Sequence, residues 1–255
     1  VRAMTAGGEG TVTNYLLSEL ALLAVLYATS YGLGLAVANY RVRVNYTRKI
    51  VHFLLFFAPS FISVYLPYEK SLLTIGGSCL FFMAYLASLA EPVRARVPVF
   101  AVGFAAIDRP EDRPFTLLWL STQTAATYVI ILGLIVILGH MGRPELIFLP
   151  LIINGIGDGL AEPVGVRFGR HKYTVRALFT RERYTRSIEG SACVFVSALA
   201  ALAFLAGSFT GTQLLLACLT IPLTAAVVEA LSPHTWDSPF IYSAVGALTV
   251  GILLV

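Results

Sequence analysis

Residues 145–191 read ELIFLPLIINGIGDGLAEPVGVRFGRHKYTVRALFTRERYTRSIEGS. The run 145–163 is apolar enough for a membrane span, which needs about 20 mainly apolar residues, yet it contains Asp158 and Glu162. These acids are four residues apart and therefore share one helical face. Asn154 extends that face by a turn. A carboxylate at the bilayer centre costs roughly 2.5–3.5 kcal/mol on insertion scales, so Asp158 is expected to face protein, a polar cavity or an ion and to avoid lipid. Seven basic residues follow, Arg167, Arg170, Lys172, Arg176, Arg181, Arg183 and Arg186. They form a cationic loop over 167–187, which ends where Ser187-Ile188-Glu189-Gly190 opens another apolar run. Span, cationic loop and span in succession imply a chain that crosses a bilayer repeatedly.

Composition agrees: 57% of residues are hydrophobic and 13% charged, with a mean hydropathy of +0.79. Such a chain belongs in a membrane. Eight candidate spans lie at 14–38, 49–67, 71–90, 115–139, 145–163, 188–208, 212–231 and 239–255. The expected fold is an all-α polytopic membrane protein: a polar N-terminal tail over 1–13 and a single helical domain over 14–255. The apolar run of the first span is too long for a signal peptide, and its basic flank is on the wrong side. Cys79, Cys193 and Cys218 all fall in apolar segments without CxxC spacing. They support neither a disulfide framework nor a zinc site.

With eight spans, Arg41, Arg43, Arg48 and Lys49 follow the first, Arg94, Arg96, Arg109 and Arg113 follow the third, and the seven of the cationic loop follow the fifth. That puts 15 of the 18 Lys and Arg on one side, with Arg2, Lys70 and Arg143 opposite. The positive-inside rule makes the crowded side cytoplasmic and places the N-terminus outside.

Several smaller features carry expectations. Glu19, near the outer end of the first span, is read as interfacial, since helix ends tolerate charge. The stretch 91–114, with DRPEDRP over 108–114, is read as a solvated connector broken by proline and mixed charge. LAEPV occurs twice, at 89–93 and 160–164. Glu-Pro is a common way to end a helix, so the coincidence is only a weak sign of internal repetition.

The chemistry suggested by acids beside a basic loop is phosphoryl transfer. Mg²⁺ takes one or two carboxylates plus phosphate oxygens, and arginine grips phosphate through a planar fork. Arg186 and Ser187 open a helix whose free N–H groups favour an anion. Glu189 in that first turn has three open roles: favouring the helix dipole, touching metal or orienting a cation. Gly157, Gly159 and Gly169 either admit a ligand close to the backbone or allow tight helix packing. Arg48, Lys49 and His52 open the second span and serve either as phosphate contacts or as a positive-inside anchor. Glu229, inside an apolar run, and Asp237, after a proline turn, are candidates to complete a polar cavity with Asp158 and Glu162. GxxxxGK[ST], HExxH and GxSxG are all missing, which removes support for P-loop, zinc-protease and serine-hydrolase readings.

RKIVHF (48–53), GDGLAEPVGVRFGRHK (157–172), RSIEGS (186–191) and the later Glu229-Ala230 with Asp237 together resemble the membrane lipid-alcohol kinases, the family of phytol kinase, dolichol kinase and the CTP-dependent diacylglycerol kinase. The blocks span about three quarters of the chain. This chain has Arg186 and Ser238 where the family commonly has Lys and Asn. The resemblance implies transfer of phosphate from CTP, with Mg²⁺ or another divalent cation, to the hydroxyl of a membrane lipid such as phytol, dolichol, another polyprenol or diacylglycerol. Matched by position, Asp158, Arg167, Gly169, Lys172, Ser187, Glu189 and Gly190 would form the nucleotide and catalytic centre. Gly157, Gly159 and Arg186 would join the nucleotide site, supported by Arg48, Lys49 and His52. Glu162 would assist Asp158, and Asp158, Glu229 and Asp237 would meet the metal. The partners implied are a membrane lipid and a nucleotide, not a nucleic acid. Two alternatives use the same residues: a CDP-lipid synthase, which also joins CTP to lipid, and a transporter with intramembrane acids as coupling sites.

Overall fold

The computed structural model describes residues 2–178 and 181–255, with side chains from residue 11 onward. Its elements are α1 (Arg2–Tyr40), α2 (Val44–Tyr65), α3 (Leu72–Ser88), α4 (Glu91–Arg94), α5 (Pro98–Ala105), α6 (Thr116–His140), α7 (Phe148–Ile152), a π-helical segment (Ile153–Asp158), α8 (Gly159–Phe168), strands β1 (Lys172–Arg176) and β2 (Arg183–Ser187), α9 (Ile188–Phe204), α10 (Gly211–Leu231) and α11 (Asp237–Leu253). Among the described residues, five helical stretches are long and apolar enough to cross a membrane: Thr11–Tyr40, Val44–Tyr65, Thr116–His140, Pro144–Phe168 and Gly211–Leu231. The counterparts of the other three expected spans, α3, α9 and α11, are apolar helices of 17 residues each. Large apolar side chains such as Phe61, Val64, Leu80, Val129, Val196 and Leu219 face outward along these helices. So much apolar surface is stable only in contact with lipid or another apolar body. The chain is an all-α membrane protein apart from one hairpin.

The chain forms two compact units, 1–121 and 122–255. In the first, α1 packs against α2, α3 and α5 around Leu26, Val51, Tyr85, Leu86, Leu89, Phe104, Ala106 and Ile107. Two hydroxyl pairs lie within this core. Ser30 Oγ lies 2.8 Å from Tyr85 OH, and Ser88 Oγ lies 2.6 Å from Tyr27 OH. Gly34 lets α1 approach α5, because a Cβ there would collide with the Val102 carbonyl.

Three expectations in this unit change. Helical backbone starts at Arg2, within the stretch read as a polar tail. Residues 91–114 are solvated only in part: α5 lies on α1, Ala106 and Ile107 are core and Asp112 is 1% exposed, while residues 95–99 and Pro110, Glu111, Arg113 and Pro114 are exposed. The cause is the apolar run from Val97 to Ile107, which is too short for a span but long enough to bury one helical turn after another. Glu19 is buried within α1 and accepts a hydrogen bond from Ser78 Oγ at 2.5 Å. Its carboxylate is therefore enclosed by protein.

In the second unit α9 is central, packed against α7, the π-helical segment, α8 and α10, and α10 in turn packs on α11. The core includes Leu149, Ile153, Val194, Ala198, Leu202, Ile221, Ile241, Tyr242 and Val245. The cationic loop is not irregular. β1 and β2 pair antiparallel, with Tyr173 opposite Arg186, Thr174 opposite Thr185, and Val175 opposite Tyr184. Alternation turns Tyr173, Val175, Tyr184 and Arg186 inward and leaves Lys172, Thr174, Arg176, Arg183 and Thr185 exposed. The loop after α10 adds to this layer. Ala177 forms a parallel bridge with His234, and the Tyr184 and His234 rings stack with centroids 3.7 Å apart.

The two LAEPV copies have different backbones. The first is a break: α3 stops at Ser88, and Glu91 begins the short α4. The second runs inside α8, with Pro163 in the helix. The shared five residues are not a structural repeat.

Candidate active site

Asp158 ends the π-helical segment and is 6% exposed; Asn154, on the same segment, is 3% exposed. A π-helical turn bonds i to i+5, is rare, and frequently occurs at functional sites. Its presence at Asp158 sets this helix apart from the other described helices. Glu162 follows in the first turn of α8 and is half-buried.

Arg186 is the hub. β2 brings its guanidinium inward, where Nη1 donates to Glu229 Oε1 at 3.0 Å, to the Glu229 carbonyl and to Ser232 Oγ at 3.3 Å. Nη2 donates to Asp237 Oδ2 at 3.3 Å. One arginine thus ties the end of α10 to the start of α11. Burial works against its charge, but Asp237 and Glu229, with Asp158 also in range, outweigh that effect and hold its pKa above the ordinary arginine value. A pKa raised in this way keeps the guanidinium charged through the whole physiological range.

Ser191 and Tyr173 were not singled out by sequence, yet they complete this network. Ser191 Oγ donates to Glu229 Oε2 at 2.7 Å and lies 2.7 Å from Tyr173 OH. With the serine proton committed to the carboxylate, the tyrosine donates to the serine. The available signal was strand alternation in KYTVR and RYTRS, which puts Tyr173 and Arg186 on one face.

Ser187, expected at the nucleotide, caps α9: its Oγ accepts from Gly190 N at 3.1 Å. Glu189, expected as a catalytic acid, holds the turn before β1. Its Oε1 accepts from Arg170 N at 3.1 Å and His171 N at 3.2 Å, and lies 2.9 Å from His171 Nδ1. The glycines serve close packing. A Cβ on Gly190 would stand 2.6 Å from the Ala161 carbonyl oxygen, and one on Gly169 would meet Ser187 Cβ at 2.8 Å. Gly157 presses on Val194, where a Cβ would come within 2.9 Å of Cα. Gly159 is buried at the start of α8. Arg167, Arg170, Lys172, Arg176, Arg181 and Arg183 are all exposed.

The three acids expected to share a metal are placed otherwise. Arg186 lies between Glu229 and Asp237, and among the described residues no three His, Cys, Asp or Glu side chains gather as a metal site. That donor set does not fit a cation held by protein alone, because a fixed guanidinium already satisfies two of its members.

Arg48, Lys49 and His52 belong to the first unit. Arg48 Nη1 pairs with Asp112 Oδ2 at 2.7 Å, and the same oxygen accepts from Arg109 Nε and Nη2 at 2.8 Å. Lys49 is buried. The His52 ring packs on Phe56, centroids 4.8 Å apart.

No protein-family model, curated protein or solved structure matches the chain. Its fold is that of a helical membrane protein.

Proposed function

We propose that the protein is a membrane lipid-alcohol kinase that transfers phosphate from CTP to the hydroxyl of an isoprenoid alcohol or diacylglycerol. The observation that carries the reading is the second unit's layered chemistry. A buried acid on a π-helical turn, Asp158, lies in electrostatic range of Arg186, whose strand belongs to a hairpin with Lys172, Arg176 and Arg183 exposed. Arg176 and Arg183 are directly opposed across the hairpin. Like charges so placed repel, and an anion between them relieves the repulsion.

In this reading all eight helices cross the membrane, α3, α9 and α11 being at the short end of the spanning range. The N-terminus is outside and the hairpin faces the cytoplasm, where nucleotide is available. Asp158 takes the proton of the lipid hydroxyl, with Glu162 assisting. The hydroxyl oxygen attacks the γ-phosphorus, the bond to the β-phosphate oxygen breaks, and CDP leaves with that electron pair. The hairpin cations steady the triphosphate. A divalent cation would arrive with the triphosphate, whose oxygens supply most of its ligands. Arg186 acts as a fixed internal cation that keeps Glu229 and Asp237 in place.

The test is an assay of purified protein in lipid vesicles with CTP or ATP and a panel of phytol, polyprenol and diacylglycerol. The expected products are phosphorylated lipid and CDP. Release of diphosphate with a CDP-lipid would instead identify a cytidylyltransferase. A transporter reading is favoured by one observation, the buried Glu19–Ser78 pair in α1 and α3, since protein-shielded intramembrane acids serve as coupling sites. Nucleotide-independent solute uptake into the vesicles would establish it in place of the kinase.

A further inference from the structure

Asn154 has no place in the chemistry above, and its environment is unusual. Its side chain is 3% exposed, and its Oδ1 is fully buried without a hydrogen-bond partner. It stands on the π-helical segment one turn before Asp158, with Ile153, Gly155 and Gly157 buried around it. The adjoining core is apolar, built from Leu149, Ile153, Val194 and Ile241. Gly157 seats the segment directly on α9. An amide left unpaired in such a place is unfavourable and calls for an explanation.

The chemistry of Asn154 and Asp158 narrows the ligand. Oδ1 is an acceptor and Asp158 is acidic, so phosphate would be repelled. Apolar walls disfavour a ligand with several polar groups. What fits is a single neutral hydroxyl at the end of an apolar body, able to donate to Asn154 and to present its oxygen beside Asp158. We propose that Asn154 is a positioning residue that holds the hydroxyl of the acceptor lipid alcohol next to Asp158. The proposal rests on the kinase reading and names the acceptor side of that centre.

The experiment uses the full chain in detergent with a long-chain isoprenoid alcohol, and the methyl ether of the same chain as control. Thermal unfolding reports binding without requiring turnover. The alcohol is expected to raise the Tm of the unsubstituted protein and the ether is not, because a site built around a hydroxyl rejects the analogue that cannot donate. Asn154→Leu removes the orphaned amide, so it is expected to raise the Tm of ligand-free protein while weakening alcohol binding by about tenfold or more. In turnover the same variant raises KM for alcohol and leaves KM for CTP unchanged. Should the leucine variant not fold, Asn154→Ser serves, with a loss of roughly threefold to tenfold. Alcohol affinity unchanged in either variant, equal stabilisation by alcohol and ether, or stabilisation by sodium over potassium with no response to alcohol would each overturn the proposal. Alcohol binding that depends on Asn154, in a protein that phosphorylates no lipid with any nucleotide, would refute the kinase and leave the alcohol site standing.

Discussion

Each unit of the chain buries an arginine–carboxylate cluster, and the two are built with opposite balance. In the first, two arginines, Arg48 and Arg109, converge on one carboxylate, Asp112. In the second, one arginine, Arg186, serves two carboxylates, Glu229 and Asp237, with Asp158 in its field. The first cluster joins the start of α2 to the turn before α6 and has the character of a structural clasp. The second has an excess of acid, a π-helical turn and an orphaned amide beside it. Buried charge alone therefore does not mark a working site. In the proposed reading, imbalance of charge, backbone irregularity and an unmatched polar atom together single out the second cluster.

This contrast can be broken by substitution. Arg186→Met strands Glu229 and Asp237 without their cation. Breaking a buried pair from one side costs about 3–5 kcal/mol, so unfolding in mixed micelles should show a loss of that order, relieved in part by adding Glu229→Gln. A near-neutral Arg186→Met would mean that the acids have other partners and that Arg186 is no hub.

Asp112→Asn keeps an acceptor for Arg48 and Arg109 and removes only the charge. The expected loss is smaller, about 1.5–3 kcal/mol, and the proposed kinase turnover of the folded fraction should be unchanged. A selective loss of turnover at full stability would move the first cluster from clasp to functional element.

Ser187→Ala sharpens the boundary of the second site. If the hydroxyl only caps α9, the variant loses about 1 kcal/mol and binds CTP as before. Weaker CTP binding at unchanged stability would restore Ser187 to the nucleotide contacts.

Much of the architecture was legible in the sequence because lipid exposure leaves a compositional mark: runs of apolar residues long enough to span, with charge confined to the connections. Where that mark fades, so does legibility. Val97–Ile107 is apolar but short, and the prolines and charges beside it mask a packed helix. The hairpin was hidden under its arginines, although the alternation of Tyr173, Val175, Tyr184 and Arg186 was present. LAEPV shows the limit of local sequence: the same five residues break one helix and continue inside another, because the surrounding packing decides what Glu-Pro does. Asp158, Glu162, Glu229 and Asp237 were legible as acids set in or beside apolar runs. The pairing of Glu229 and Asp237 through Arg186 was not, since it depends on which strand face meets the ends of α10 and α11. The π-helical turn leaves no compositional trace, as it is a choice of hydrogen-bond register within an apolar helix.

The central claim is that the acid-rich site of the second unit, centred on Asp158, phosphorylates a lipid alcohol. The most direct test compares wild-type protein with Asp158→Asn in vesicles containing a lipid alcohol and supplied with CTP. The account predicts phosphorylated lipid and CDP in equal amounts from the wild type, and a rate lower by about 10²–10⁴-fold in a variant that still folds and binds CTP. Undiminished phosphorylation by Asp158→Asn would contradict it.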